Sequence, residues 1–276
     1  MKLKYLGTAA AEGWPAIFCD CDNCRKAMKR GGRHIRTRSQ ALVDDKLLLD
    51  FPADSLMHML AYGIPMSELH TCLITHSHPD HLYPADLEMR KLGFSHLDSG
   101  DPLVLYGSKV ALSKAGDMLE EHAKELEGRV SLSEIEPFQI FETEGYKVTA
   151  LLADHDPRSG PLFYLIQKEG KSLLYCHDTG YFPEETWKYL ERVRPHCSFV
   201  SIDRTNGLLP YKRGHMGVSA ACETVERLKE IGCVEGKTLL CLNHFSHNGG
   251  ILYDELVPIA KEKGMMVSYD GLEINF

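Results

Sequence analysis

Short apolar runs recur along this chain, and several of them end directly in polar residues. Lys2 to Leu6 reads as a first strand, closed by the turn Gly7-Thr8-Ala9. Ser39–Val43 and Lys46–Asp50 read as a hairpin across Asp44-Asp45, and Pro52 to Tyr62 as a helix stopped by Gly63. Cys72-Leu73-Ile74 is short and bounded, the pattern of a buried strand. Pro84 to Leu92 follows as a helix with proline in its first turn, then a strand at Leu103–Tyr106. Ser108 to Glu127 is the longest helical pattern, and its face of Glu120, Glu121, Lys124, Glu125 and Glu127 reads as solvated. The next third is strand-rich, with runs at Gln139–Phe141, Tyr146–Leu152, Leu162–Lys168 and Ser172–Cys176. A helix from Pro183 to Arg192, a strand at Ser198–Ile202, a helix at Val218–Ile231 and a strand at Thr238–Leu242 precede a closing helix and strand. Strands alternating with helices imply α/β layers. With no internal repeat, low-complexity tract or linker, one domain over residues 1–276 is the simplest organisation.

The strand ends carry the candidate chemistry. Thr75-His76-Ser77-His78-Pro79-Asp80-His81 follows the Cys72–Ile74 run, and Pro79 argues for a loop there. Four metal-competent side chains crowd this loop: His76 and His78 can share one ion while Asp80 and His81 face a second. Imidazole with carboxylate suits zinc, iron or manganese. Two later strands run into Asp154-His155-Asp156 and His177-Asp178-Thr179-Gly180, and a third into Asn243-His244, with His247 beyond. Loops held by a rigid sheet are where functional side chains belong. Cys19, Cys21 and Cys24 form a separate C-x-C-x2-C cluster in an N-terminal loop at about 19–24. Three thiolates can converge on one tetrahedral zinc, with the fourth ligand supplied from elsewhere.

Bulk properties narrow the partners. The 276 residues are 43% hydrophobic and 25% charged, with net charge −8. No apolar run approaches the ~20 residues a membrane span needs. Nine cysteines without a recognisable secretion signal point to reduced thiols and a cytoplasmic protein. The acidic balance argues against a long nucleic-acid partner and leaves a small anionic substrate, drawn in by metal charge. The densest basic segment, Arg25 to Arg38, reads as a solvated face. A homodimer is compatible with everything above.

His-x-His-x-Asp-His after a buried strand resembles the signature of the metallo-β-lactamase superfamily. That resemblance implies an αββα sandwich, two mixed sheets flanked by helices. It also implies a ligand set: His76, His78 and His155 on one ion, Asp80, His81 and His244 on the other, and Asp178 bridging them. His177 is left as a structural or supporting group. The cysteine cluster together with His244-x-x-His247 resembles the PhnP-type phosphodiesterases of the carbon–phosphorus lyase pathway, which makes His247 the fourth ligand of a structural zinc. Gly214-His215-Met216-Gly217 is placed like that family's phosphate-contacting histidine, so Asp80 and His215 are the catalytic candidates. The implied reaction is hydrolysis of a small cyclic phosphodiester, phosphoribosyl cyclic phosphate or a 2′,3′-cyclic nucleotide, by hydroxide held between two divalent ions of manganese, zinc or iron. A lactonase or thioesterase on the same metals is the alternative enzyme, and a metal-dependent binding protein or sensor the non-enzymatic one. A tRNA-processing nuclease fits the acidic chain less well.

Overall fold

The computed structural model describes residues 1–97 and 100–276. Strands β1 (Lys2–Gly7), β2 (Gln40–Val43), β3 (Leu47–Leu49), β4 (Thr71–Leu73), β5 (Leu103–Gly107) and β6 (Val130–Glu134) lie side by side in that order. A second sheet of seven strands contains β7 (Ile140–Thr143), β8 (Tyr146–Leu152), β9 (Leu162–Lys168), β10 (Lys171–Cys176), β11 (Phe199–Asp203), β12 (Leu239–Asn243) and β13 (Met266–Val267). The last strand, β14 (Glu273–Asn275), returns to the first sheet and pairs antiparallel with β1. Each sheet runs antiparallel through its first four strands and parallel through the rest.

Alternation along the strands builds the layers. Ala41 and Val43, Tyr146, Val148 and Ala150, and Leu173 and Tyr175 face one core between the sheets. Leu42 turns instead to the outer face of the first sheet, with Ala111, Leu112 and Ala115 of the helix at Lys109–Glu121. Leu174 and Cys176 face the outer helices of the second sheet, with Trp187 and Leu190. Strands buried on both faces read as continuous apolar runs, which is why these were visible in the sequence. The helices are α1 (Asp22–Arg30), α2 (Ser55–Tyr62), α3 (Lys109–Glu121), α4 (Ala123–Leu126), α5 (Glu184–Val193), α6 (Val218–Glu230) and α7 (Tyr253–Glu262). The αββα sandwich of mixed sheets is therefore what the chain forms.

Four local expectations need correction. Residues Pro84–Arg90 form a 3₁₀ helix, not an α-helix. The two residues it buries, Leu87 and Arg90, stand three apart and lie directly above one another at three residues per turn. The long helix breaks at His122, whose φ of −120° leaves the helical region, so α4 can turn Leu126 into the core while the acidic face stays exposed. Strand β6, Val-Ser-Leu-Ser-Glu, went unread because an edge strand with polar alternate positions carries little apolar signal. Arg36 is no part of a solvated face: it is buried, donates to Thr8 Oγ1 (2.7 Å) and the Ser268 carbonyl (2.9 Å), and stacks 3.8 Å from the Phe245 ring.

Candidate metal centre

Six strands of both sheets deliver polar side chains to one edge of the sandwich: Asp50 after β3, residues 75–81 after β4, His155 after β8, Asp178 after β10, Asp203 closing β11 and His244 after β12. The carboxyl ends of strands in α/β sheets are where ligand sites form. Asp50, Asp178 and His244 hold left-handed backbone, with φ of 65°, 50° and 62°. Such residues cost about 1–3 kcal/mol each and persist where the surroundings fix them. Here they aim the side chain back over the strand end.

Ring nitrogens of His76, His78 and His155 form a first group. His76 Nε2 is 3.0 Å from His78 Nδ1, which is 3.1 Å from His155 Nε2. His155 donates its other nitrogen, Nδ1, to the Gly214 carbonyl at 3.2 Å, which leaves the Nε2 lone pair turned inward. Asp80, His81, Asp178 and His244 form a second, wholly buried group. His81 Nε2 lies 2.7 Å from Asp178 Oδ2 and 3.2 Å from Asp80 Oδ2. Asp178 Oδ2 also lies 3.2 Å from His76 Nε2, so this one oxygen touches both groups. Its Oδ1 is 3.1 Å from His244 Nδ1.

These residues fit divalent cations. His81 Nε2, His244 Nε2 and Asp178 Oδ1 are buried without a hydrogen-bond partner among the described residues. One ligand atom from each of Asp80, His81, Asp178 and His244 lies within 4.8 Å of the others, close enough to share an ion that would satisfy these unpaired groups. Burial opposes charge on His81, but Asp178, Asp80 and Asp50 draw its pKa well above the ordinary value. Burial, then His81, push His76 well below its own. His76 thus offers a neutral imidazole, and the second group is a carboxylate cluster that calls for positive charge.

Two carboxylates that sequence reasoning passed over hold the arrangement. Asp50 Oδ1 accepts the Thr75 amide at 2.7 Å, and its Oδ2 meets His81 Nδ1 at 2.7 Å. Asp203 Oδ1 accepts the Thr205 and Met216 amides at 3.1 and 2.9 Å, and its Oδ2 the Asp178 amide at 3.1 Å. Both close a strand, as the ligand-bearing segments do, and that position was the available signal. His215 is brought in beside them, Nδ1 3.4 Å from Asp203 Oδ2 and 3.3 Å from Asp178 Oδ1. Burial lowers its basicity, but the Asp203 hydrogen bond and the charges of Asp203, Asp178 and Asp80 outweigh this and lift its pKa to about 9. His177 is not brought in. Its Nε2 lies 2.6 Å from Ser201 Oγ and its Nδ1 accepts from Asn243 Nδ2 at 3.1 Å.

Cys19, Cys21, Cys24 and His247 place one ligand atom each within 4.8 Å of one another. His247 Nδ1 is 3.6 Å from Cys19 Sγ and 3.5 Å from Cys21 Sγ, and Cys24 Sγ accepts the Ala16 amide at 3.4 Å. The Cys24 backbone and His247 pull the Cys21 thiol down to about 6, toward the thiolate a metal requires, while burial holds Cys24 up at about 12. Glu12 Oε1 sits 3.5 Å from His247 Nε2 and accepts from Ser246 Oγ. The loop carrying His247 locks onto the loop after β11 at Gly207, where a Cβ would lie 1.9 Å from the Gly249 carbonyl oxygen.

A cavity of about 320 Å³ opens over the first two groups, lined by Asp178, His155 and His215 together with Glu12, Asn206 and Asn248. A larger apolar groove of about 410 Å³, lined by α2 and the 84–90 segment, contains none of the clustered ligands.

Residues 54–245 match the family model described as the beta-lactamase superfamily domain. Ribonuclease Z of Listeria innocua serovar 6a is 28% identical over 177 residues, 63% of this chain and 52% of that protein, so the match spans about half the length of that relative. Among solved structures, Zn(2+)-bound PqqB from Methylobacterium extorquens superposes with a TM-score of 0.78 at 20% identity, covering all of both chains. A diphosphatase from the PhnP family gives 0.74 at 21% identity, covering 100% of this chain and 96% of that one. At these identities the two structures share the fold.

Proposed function

This chain belongs to the beta-lactamase superfamily, and from that premise we propose that it is a metal-dependent phosphodiesterase that cleaves small cyclic phosphodiesters. One observation carries the reading: Asp178 reaches both ligand groups through one oxygen while its second oxygen faces His215. His76, His78 and His155 would hold one divalent ion, Asp80, His81 and His244 a second, and Asp178 both. Ions held there neutralise phosphate oxygens and lower the pKa of water from 15.7 toward about 7. Manganese, zinc and iron all suit this donor set. Cys19, Cys21, Cys24 and His247 would hold a structural zinc that ties the N-terminal loop to the segment presenting His244.

The chain's own groups do the rest. Asp50 and Thr75 fix the His81 ring, and the Gly214 carbonyl fixes His155. Asp80 supplies the carboxylate that balances charge beside His81. Asp203 orients His215 with its proton toward the cavity, where the ring donates to a phosphate oxygen and then to the leaving alkoxide. A ribonuclease reading has the Listeria relative in its favour; the net charge of −8 and the lack of lysine or arginine in the cavity lining among the described residues speak against a polynucleotide.

Manganese-loaded protein assayed side by side on an aryl phosphodiester, a 2′,3′-cyclic nucleotide and a lactone tests the proposal. Turnover of the diesters well above the lactone supports it. Turnover of the lactone alone replaces it with the lactonase reading, and metal-loaded protein inert on all three replaces it with a binding role.

A further inference from the structure

We propose that Glu12 sets the substrate's charge: the cavity accepts a phosphodiester flanked by a neutral, hydroxyl-bearing group and rejects one that carries a second phosphate. This rests on the phosphodiesterase reading above. Among the described residues no lysine or arginine lines the cavity; besides the ligand groups and His215 its lining offers Glu12, Thr205, Asn206, Ser246 and Asn248. Amides, hydroxyls and one carboxylate are the donors and acceptors that read sugar hydroxyls. A phosphate monoester placed among them would meet the Glu12 carboxylate, with the cationic His215 engaged by the reacting diester.

Basic side chains in the surrounding segments do not line the cavity and face acidic partners at the surface: Arg158 pairs with Asp156 at 2.9 Å, Arg213 with Asp154 at 3.0 Å, and Lys212 with Glu223. Arg38, behind Ala11, donates Nε to the Ala11 carbonyl at 2.9 Å and pairs with Asp54 at 3.3 Å. Arg204 is fully buried 5.3 Å from the Phe245 ring and does not reach the cavity. Glu12 is held in place, since its Oε1 accepts from Ser246 Oγ and lies 3.5 Å from His247 Nε2. It cannot swing aside for an anion without leaving both partners. Of the two cyclic diesters considered, the nucleoside 2′,3′-cyclic phosphate fits this lining and the phosphoribosyl cyclic phosphate, with its second phosphate, does not.

The direct test compares adenosine 2′,3′-cyclic phosphate with the same molecule phosphorylated at the 5′ position, on manganese-loaded protein. We expect kcat/KM at least about tenfold higher for the former, with the difference in KM. Calorimetric Kd values for adenosine 3′-phosphate and adenosine 3′,5′-bisphosphate should separate in the same direction. Glu12→Lys should shrink or invert the preference, and the milder Glu12→Gln should narrow it, each in protein whose zinc content matches the parent. Equal turnover of the two substrates by the parent protein overturns the inference, as does a preference unmoved by either variant. Turnover of an aryl diester with neither cyclic substrate also overturns it while leaving the phosphodiesterase reading intact. Loss of all diester turnover in metal-loaded protein removes that reading as well.

Discussion

Asp50 Oδ2 lies 2.7 Å from His81 Nδ1, with both side chains fully buried. The carboxylate fixes the ring so that Nε2 points toward Asp178 and Asp80. Supporting carboxylates of this kind are worth about 10–100-fold in metal affinity. Asp50→Asn should therefore weaken binding of one catalytic ion by that factor, measured by competition with a chelating dye. An unchanged affinity in folded Asp50→Asn protein would mean that Asp50 serves packing alone.

His215 Nδ1 lies between Asp203 Oδ2 at 3.4 Å and Asp178 Oδ1 at 3.3 Å, and in the proposed reaction the ring supplies a proton. His215→Ala should lower kcat by about 10²–10⁴-fold on a diester with an alkoxide leaving group. The loss should be much smaller on an aryl diester, whose leaving group needs no proton, with metal content unchanged. Equal losses on both substrates would reduce His215 to a phosphate contact.

The cysteine cluster joins residues 19–24 to His247, more than two hundred positions away in sequence. A metal bound there stabilises the fold by about 2.7 kcal/mol at a hundredfold excess over its Kd. Cys21→Ser should release that metal, lower the melting temperature by several degrees and lower activity through the His244–His247 segment. A Cys21→Ser protein with parental metal content and melting temperature would remove the cluster from the account.

His58 gives a pH dependence away from the metals. Its Nδ1 is 2.6 Å from Gln40 Oε1 and its Nε2 2.7 Å from Thr37 Oγ1, and burial lowers its pKa from 6.5 to about 4. The unfolded chain takes up this proton below pH 6.5 and the folded one does not. Stability is therefore full above pH 6.5 and falls as pH drops toward 4, by up to about 3 kcal/mol. Urea unfolding at pH 7 and 5 should show a steeper loss in the parent than in His58→Gln. Parallel losses in the two proteins would show that His58 is not the sensitive group.

The sequence made the ligand-bearing loops visible because each follows an apolar run buried on both faces. His76, His78, His155 and Asp178 could be found by that rule, and the distant His247 only through the family resemblance that joins a cysteine cluster to a His-x-x-His pair. Asp50 and Asp203 follow the same rule but carry no neighbouring histidine to draw notice, and only the three-dimensional contacts with His81 and His215 give them a role. Glu12 lies in an N-terminal loop without periodic signal, and the fold alone carries it to the cavity. Arg36 was misread because charge in a basic run suggests solvent, whereas the Phe245 ring and the Thr8 and Ser268 oxygens provide it an interior. The break at His122 and the 3₁₀ turn at Pro84–Arg90 are set by packing, which local propensity does not encode.

Elemental analysis of the purified chain addresses the central claim most directly. Two ions at the strand-end groups and one at the cysteine cluster would give about three metals per chain. Asp178→Ala should hold only the cluster zinc firmly and show no diester turnover. Parental protein that turns over diesters with a single metal, or Asp178→Ala protein that keeps all its metal and its rate, would contradict it.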